Sequence, residues 1–346
     1  MPNIYAAFML GAIAGLEFGG EMVSITPRSF CNGPYFKQFR KALLDSGAIQ
    51  ALKVFESRRS AFSDQAVLQE NVVTHLRRGG AGGGQDLVRV ESGDVGTVSV
   101  HREVPASRVV FPGDPHSVIH ILDTDRALRG ASFVERLPCS LSNLGIGVST
   151  GPVVDFRNRE WLSDEPSSGS VPLIHPSMVS EEGVVWPGPP TKKSKSIRCV
   201  DPTRPLLVKA GTYVLIKRFT SKEERKRVVA GTLEPRHLPG YENWGLENHL
   251  NYLHGSGEGL ERAVARGLAA FLNHPIVDDY FRSFSGHTQV NATDLRSLRY
   301  PSLQRLQSIG NSKDPASTCD AWVKSQLRQF TLPDRGPADP HRGDAV

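Results

Sequence analysis

Cysteine is scarce in this chain and never paired. Cys31, Cys139, Cys199 and Cys319 lie far apart and form no C-x-x-C, which argues against a thiolate zinc cluster and against a disulfide framework. They read as reduced thiols of a cytoplasmic protein. Long apolar runs are missing too. The N-terminal one, Ile4 to Leu16, is only about 13 residues, whereas a membrane-spanning helix takes roughly 20. No lysine or arginine precedes it, so the charged start of a signal peptide is absent. It reads as a buried core helix.

The glycines supply no phosphate loop. Gly79 to Gly84 follows a strand but leads into Asp86 to Gly93, which is not helical in pattern, and Gly145 to Gly151 runs into the strand-like Pro152-Val153-Val154. A helix N-terminus is what binds phosphate, so the first stretch reads as a flexible linker and the second fails on the same ground. Metal ligands are not evident either. His249 and His254, five residues apart beside Glu247 and Asn248, do not share a helix face as the histidines of H-E-x-x-H do. No metal site is expected. The adjacent Asp278 and Asp279 point apart on a helix and read as a solvated pair.

What is present fits a globular protein. At 346 residues, with 39% hydrophobic and 22% charged side chains, the chain has room for two domains with sizeable cores. A net charge of +5 permits nucleic acid or acidic partners without requiring them. The organising stretch is Gly20 to Arg78. Met22 to Ile25 is a short β-branched run bounded by Pro27, and Asn32-Gly33-Pro34 opens a helix with proline near its first turn. Phe36, Phe39 and Leu43 recur at helical spacing and Gly47 ends the helix. Ile49 to Phe55 and Val67 to Leu76 are two further strands. A helix between strands implies a parallel crossover, and the short connection between the last two implies an antiparallel pair. Ligands of such open α/β sheets bind outside the carboxyl ends of the parallel strands, which here means Thr26 to Phe30 and Glu56 to Gln65.

The run ITPRSFCNGPYFKQFR, followed by VFESRRSAF and VLQENVV, resembles the late catalytic domain of TaqI-like adenine-N6 DNA methyltransferases of restriction–modification systems. The N-terminal PNIYAAFMLGAIAGLEFGGE is similar to the helix that leads into it. The resemblance implies an α/β fold: the C-terminal part of a Rossmann-like sheet with a reversed last strand. It also implies S-adenosylmethionine as cofactor and a target adenine flipped into the site. The family's cofactor loop and Asn-Pro-Pro-Tyr motif belong upstream of Asn3, and the sequence contains neither NPPY nor DPPY. The expectation is an enzyme that is incomplete and inactive as this chain alone, needing an N-terminal segment or a separate subunit, or else a degenerate fragment. No catalytic, cofactor-binding or metal residue is assigned. The alternative is a non-catalytic DNA-binding specificity protein working with a separate methyltransferase.

Residues 1–78 are read as the C-terminal half of the catalytic domain and 79–135 as a β-rich linker region. Residues 136–310, with landmarks such as LGIGVSTGPVVDFR and the amphipathic GLERAVARGLAAFLN, resemble a mixed α+β target-recognition domain, expected to fold by itself. Residues 311–346 read as a disordered tail, being rich in proline, aspartate and arginine.

The partner implied is double-stranded DNA. By resemblance Phe62 matches the aromatic that stacks on the flipped adenine, with Arg58 and Arg59 beside it for phosphates. The run Lys217, Arg218, Lys222, Arg225, Lys226 and Arg227 can neutralise a phosphate backbone or form a solvated helix face. Lys192, Lys193 and Lys195 make a looser cluster. Thr288, Gln289 and Asn291 can read base edges, but the same residue types cap helices and close turns.

Overall fold

The structure is a computed structural model that describes residues 3–55, 70–79, 86–94, 96–189, 193–219, 225–285 and 289–329. Helix α1 (Ile4–Gly15) starts at Asn3, whose side chain accepts from the Tyr5 amide. Ala6, Met9 and Ile13 turn inward, while Ile4 and Phe8 are 74% and 73% exposed. Strand β1 (Glu21–Pro27) alternates in the same way, with Met22 and Thr26 buried and Val23 and Ile25 exposed. Helix α2 (Lys37–Ser46) buries Phe39 and Leu43, as their spacing requires, and stops at Gly47. A Cβ there would lie 2.5 Å from the Arg77 carbonyl oxygen, so glycine lets the chain enter the sheet directly.

Strands β2 (Gly47–Phe55) and β3 (Asn71–Arg78) complete the stretch. β3 inserts between β1 and β2 and runs antiparallel to both, so β1 and β2 share a direction without touching. The strand directions follow from the connection lengths; the insertion does not. The expected linker after residue 78 is part of the same sheet. β4 (Leu87–Gly93) pairs parallel to β2, and β5 (Val100–Pro105) pairs antiparallel to β4. After the short α3 (Ala106–Val109), Thr124 caps α4 (Asp125–Glu135) by accepting from the Ala127 amide.

The strands that follow are β6 (Gly147–Thr150), β7 (Leu162–Ser163), β8 (Ser170–Ile174), β9 (Val179–Ser180), β10 (Gly183–Val184), β11 (Ser196–Arg198), β12 (Leu207–Lys209), β13 (Tyr213–Lys217), β14 (Ala230–Leu233), β15 (Asn243–Leu246) and β16 (Leu250–His254). They form a sheet of order β12-β15-β8-β11-β7, a second of order β14-β13-β16-β6, and the small β9–β10 ribbon. β13 joins two cores. Tyr213 and Leu215 pack with Trp244 and Leu246 of the neighbouring sheet, while Val214 and Ile216 face the helices. Alternation along one strand places its side chains in both.

The helices α5 (Arg262–Leu272), α6 (Pro275–Phe284), α7 (Ala292–Ser297), α8 (Leu303–Asn311) and α9 (Pro315–Arg328) cover that face. α5 and α8 approach so closely that a Cβ on Gly310 would lie 1.7 Å from the Ala263 carbonyl oxygen. α9 corrects the expectation of disorder from residue 311. Asp314 caps it, and Cys319 and Val323 are buried, with Trp322 edge-on to Phe133 at 5.6 Å. Cys319, Trp322 and Val323 are an apolar stripe at helical spacing; the surrounding polar residues hide it. None of these helices is long and apolar enough to cross a membrane.

The boundary at residue 136 is not a break in packing. α4 lies on α6 with Gly130 against the Tyr280 amide, and one core runs from Ala6 to Val323. A segment beginning at 136 would expose Ile276 and Tyr280, so independent folding is not what this packing supports.

Arg40 fixes the loop between β1 and α2. It is fully buried, and its guanidinium makes five hydrogen bonds, all to backbone carbonyls. The acceptors are Phe30, Asn32 and Gly33 in the loop and His116 from the chain that crosses it. Burial lowers the guanidinium's affinity for its proton, and the carbonyls hold the charge in place. Arg40→Met is expected to destabilise the protein by about 3 kcal/mol or more, since the carbonyls would remain buried without donors; urea unfolding checks this.

His120 makes stability depend on pH. It is fully buried on Phe111, with ring centroids 4.3 Å apart, and desolvation pushes its pKa down to about 3. A neutral folded imidazole that protonates on unfolding contributes most above the unfolded pKa near 6.5. That contribution falls as pH drops from about 6.5 toward 3, by about 2 kcal/mol at pH 5. Melting temperatures at pH 7 and pH 5 should diverge less in His120→Gln than in the parent chain.

Candidate nucleic-acid interface

The carboxyl ends of β1 and β2 open on a cavity of about 630 Å³. Arg28, just after β1, lines it together with Phe55, Glu70 and Asn71, and Arg225, Arg227, Asp278 and Arg282 line it as well. The Thr26–Phe30 segment therefore sits on the edge expected for ligands. Arg28 is 7% exposed and donates from Nη2 to the carbonyls of Arg282 (2.8 Å) and Ser283 (2.9 Å), and from Nη1 to Glu70 (3.4 Å). It ties the first sheet to α6.

Arg58, Arg59, Phe62 and Thr288 lie outside the described residues, as does Lys222. The chain leaves β2 at Phe55 and re-enters β3 after Glu70, and both residues line the cavity. The basic run does not form one surface. Lys217 ends β13, and Arg225 is exposed at the cavity. Lys226 is held by Glu181 (2.5 Å) and the Asn273 carbonyl (2.8 Å). Arg227 is 2% exposed; it donates from its amide to Asp278 and from Nη2 to Ser285 Oγ at 2.7 Å. Its guanidinium belongs to the packing against α6, which corrects the reading of Arg227 as an open phosphate contact. Desolvation lowers the pKa of Arg227 and raises that of Asp279 nearby.

Asn291 is likewise taken up locally. Its side chain accepts from the amide of Asp294, and Asp294 accepts from the Asn291 amide at 2.8 Å, a reciprocal capping box on α7. Of the two readings weighed for Asn291, this one holds, and the base contact expected of it is set aside. Gln289 is different. It forms a bridge with Phe219, and the Val290 amide donates to the Arg218 carbonyl at 2.7 Å. Residues about seventy positions apart thus meet on one surface.

That surface combines cations with open rings. Arg218 lies 5.6 Å from the centroid of Phe219, which is 42% exposed and 4.8 Å from the His249 ring. Nη1 of Arg218 donates to the Asn248 carbonyl at 2.6 Å, and burial lowers its pKa. Asn248 and His249 also line a cavity of about 590 Å³ with Phe156, Arg159 and Lys193. Phe156 is 65% exposed under the Arg157 guanidinium, 5.5 Å from its centroid. Sequence reading assigned no role to Arg28, Phe156, Arg159 or Phe219. The Phe-Arg and Arg-Phe dipeptides were visible, but neither has a spacing that says which ring stays open.

No protein-family model matches the chain. It is 45% identical over 316 residues to the type II methyltransferase M.PstI of Providencia stuartii, covering 90% of this chain and 61% of that protein. It is 41% identical over 343 residues to the type II methyltransferase M.BsuBI of Bacillus subtilis, covering 97% of this chain and 67% of that protein. The chain belongs to the type II methyltransferases. It spans 61% and 67% of the length of these two relatives. Solved structures with a partial likeness include the type IIG restriction endonuclease BpuSI (TM-score 0.38, 12% identity, 94% of this chain and 44% of that one). Another is the type IIL restriction-modification enzyme MmeI in complex with DNA (TM-score 0.48, 11% identity, 96% and 49%). At these scores neither adds to the assignment.

The described residues of this type II methyltransferase do not fit S-adenosylmethionine. β1 runs into a buried Arg28 already engaged by α6 and Glu70, and the positive-φ glycine between β1 and α2, Gly33, does not line the cavity. Arg225 and Arg227, two residues apart, should behave differently when replaced. Arg227→Ala is expected to cost about 2–3 kcal/mol of stability by removing the buried guanidinium that donates to Ser285 Oγ and packs under α6, while the backbone amide keeps its bond to Asp278. Arg225→Ala is expected to stay within about 0.5 kcal/mol. Urea midpoints of the two variants decide it; equal losses would contradict the burial assigned to Arg227.

Proposed function

We propose that the chain serves site-specific adenine-N6 methylation of double-stranded DNA, an S-adenosylmethionine-dependent reaction of restriction–modification methyltransferases, as the part that grips the duplex and reads its site. The observation that carries this reading is the meeting of Arg218, Phe219 and Gln289 beside His249, on the same molecule as the arginine-lined cavity. Exposed cations neutralise phosphates and release counterions, which gives affinity without sequence preference. An amide such as Gln289 can bond adenine bidentately in the major groove.

In this reading Lys217, Arg218 and Arg225 contact phosphates, and Gln289 reads a base edge with Thr288 beside it. Phe62, with Arg58 and Arg59, belongs to the segment whose ends, Phe55 and Glu70, line the cavity. Stacking on an extruded adenine is its proposed role, worth about 1–3 kcal/mol per base. In that reading the residues of this chain hold and orient the base. The first sheet with α1 to α4 is the catalytic-domain portion, and β6 to α9 the target-recognition portion, joined by the common core.

Fluorescence anisotropy with labelled duplexes tests the proposal. Affinity should fall steeply with salt. Lys217→Ala combined with Arg225→Ala should weaken binding to every duplex and reduce the salt slope by about one per lost phosphate contact. Gln289→Ala should leave nonspecific binding nearly unchanged and reduce discrimination between sequences by about 1–3 kcal/mol. Binding at low salt no tighter than that of an unrelated protein of similar charge would overturn the reading.

A further inference from the structure

Three side chains from distant parts of the sequence meet at one end of the β12-β15-β8-β11-β7 sheet. His175 follows β8, Glu247 follows β15, and Asp155 lies just beyond Val153, which bridges in parallel to Glu247. β8 and β15 are themselves a parallel pair, so both deliver these residues at the same end. One ligand atom from each side chain lies within 4.8 Å of the other two.

The hydrogen bonds around the cluster leave lone pairs pointing inward. His175 is 1% exposed, and its Nε2 lies 2.7 Å from the Ser194 carbonyl oxygen. A carbonyl only accepts, so Nε2 carries the proton and Nδ1 is a bare lone pair. Nδ1 is buried and has no hydrogen-bond partner, and the same is true of Asp155 Oδ1. Glu247, also 1% exposed, is oriented by His249, whose amide donates to Oε2 at 2.9 Å and whose ring pairs with Oε1. An imidazole that gives one N–H to a backbone carbonyl and presents the other nitrogen bare is the arrangement of a metal-ligating histidine. The two carboxylates have outer partners as well, Lys193 on Asp155 Oδ2 at 2.7 Å and His249 on Glu247.

We propose that Asp155, His175 and Glu247 form a binding site for a first-row divalent cation, Zn²⁺ or Mn²⁺, through His175 Nδ1 and one carboxylate oxygen each from Asp155 and Glu247. One imidazole with two carboxylates suits such ions better than Mg²⁺ or Ca²⁺, which take oxygen ligands. The cation would tie the ends of β8 and β15 to the Val153–Asp155 segment, beneath the surface that carries Asn248, His249 and Phe156. The ion's role is structural: it holds that edge of the sheet in register. The inference rests on the cluster alone and stands whether or not the surface above it contacts DNA. The competing source of positive charge is the Lys193 ammonium on Asp155.

Titration of the full-length, chelator-treated chain with MnCl₂, followed by electron paramagnetic resonance, and with ZnCl₂, followed by calorimetry, tests the site. One ion per chain is expected, bound at least tenfold more weakly by His175→Gln and by Asp155→Asn. The ion should raise the melting temperature of the parent chain but not of His175→Gln. Asp155 is 26% exposed on its side chain, so Asp155→Asn keeps the test decisive if His175→Gln does not fold. Lys193→Met should bind Mn²⁺ at least as tightly as the parent chain and be stabilised by it. Absence of saturable binding, equal binding in the parent chain and both ligand variants, Mg²⁺ binding as tight as Mn²⁺, or a Lys193→Met chain that the ion does not stabilise would overturn the proposal.

Discussion

Two buried guanidiniums hold the molecule together at its most consequential joint. Arg40 gathers the carbonyls of Phe30, Asn32, Gly33 and His116, and Arg28 reaches from the end of β1 to the carbonyls at the end of α6. A planar fork of donors is the one side chain that can satisfy so many converging backbone acceptors at once. The segment Arg28 to Gly33 is thereby held at both its ends, and Arg28 itself lines the cavity at the carboxyl edge of the first sheet.

The second constraint is the two-sided burial of β13. Its alternate residues enter two different cores, one closed by the neighbouring sheet and Trp244, the other by α5 and the helices behind it. The chain continues from β13 into Arg218 and Phe219, whose backbone is stitched to Gln289 and Val290. The surface with open aromatic rings and cations is thus an extension of a strand buried on both its faces. A surface built on such a strand presents its side chains at fixed distances, which reading a sequence of bases requires.

Much of the first sheet was legible. β-branched runs, an Asn-Gly-Pro helix start and apolar spacing at Phe36, Phe39 and Leu43 placed β1, α2, β2 and β3 in order, because each signal is local. The continuation of the sheet through β4 and β5 was not, since strand pairing between distant segments leaves no mark on either. α9 was missed because three apolar residues in fourteen carry its buried stripe. The polar and basic candidates were legible only as residue types. Arg225 and Arg227 look alike in sequence, yet one is exposed and the other is packed under α6.

By itself the sequence determined the kinds and order of the elements from β1 to β3, and the kinship with methyltransferases of restriction–modification systems. Periodicity, capping residues and turn residues act over a few positions, and a one-dimensional reading captures them. Only the tertiary structure decided which charges are open and which are spent on backbone carbonyls, and which side chains meet. It alone brought Gln289 to Phe219 and set Asp155, His175 and Glu247 around one point. Those outcomes depend on strand order and on the burial of whole faces, properties that arise when segments far apart in the chain are forced to share one core.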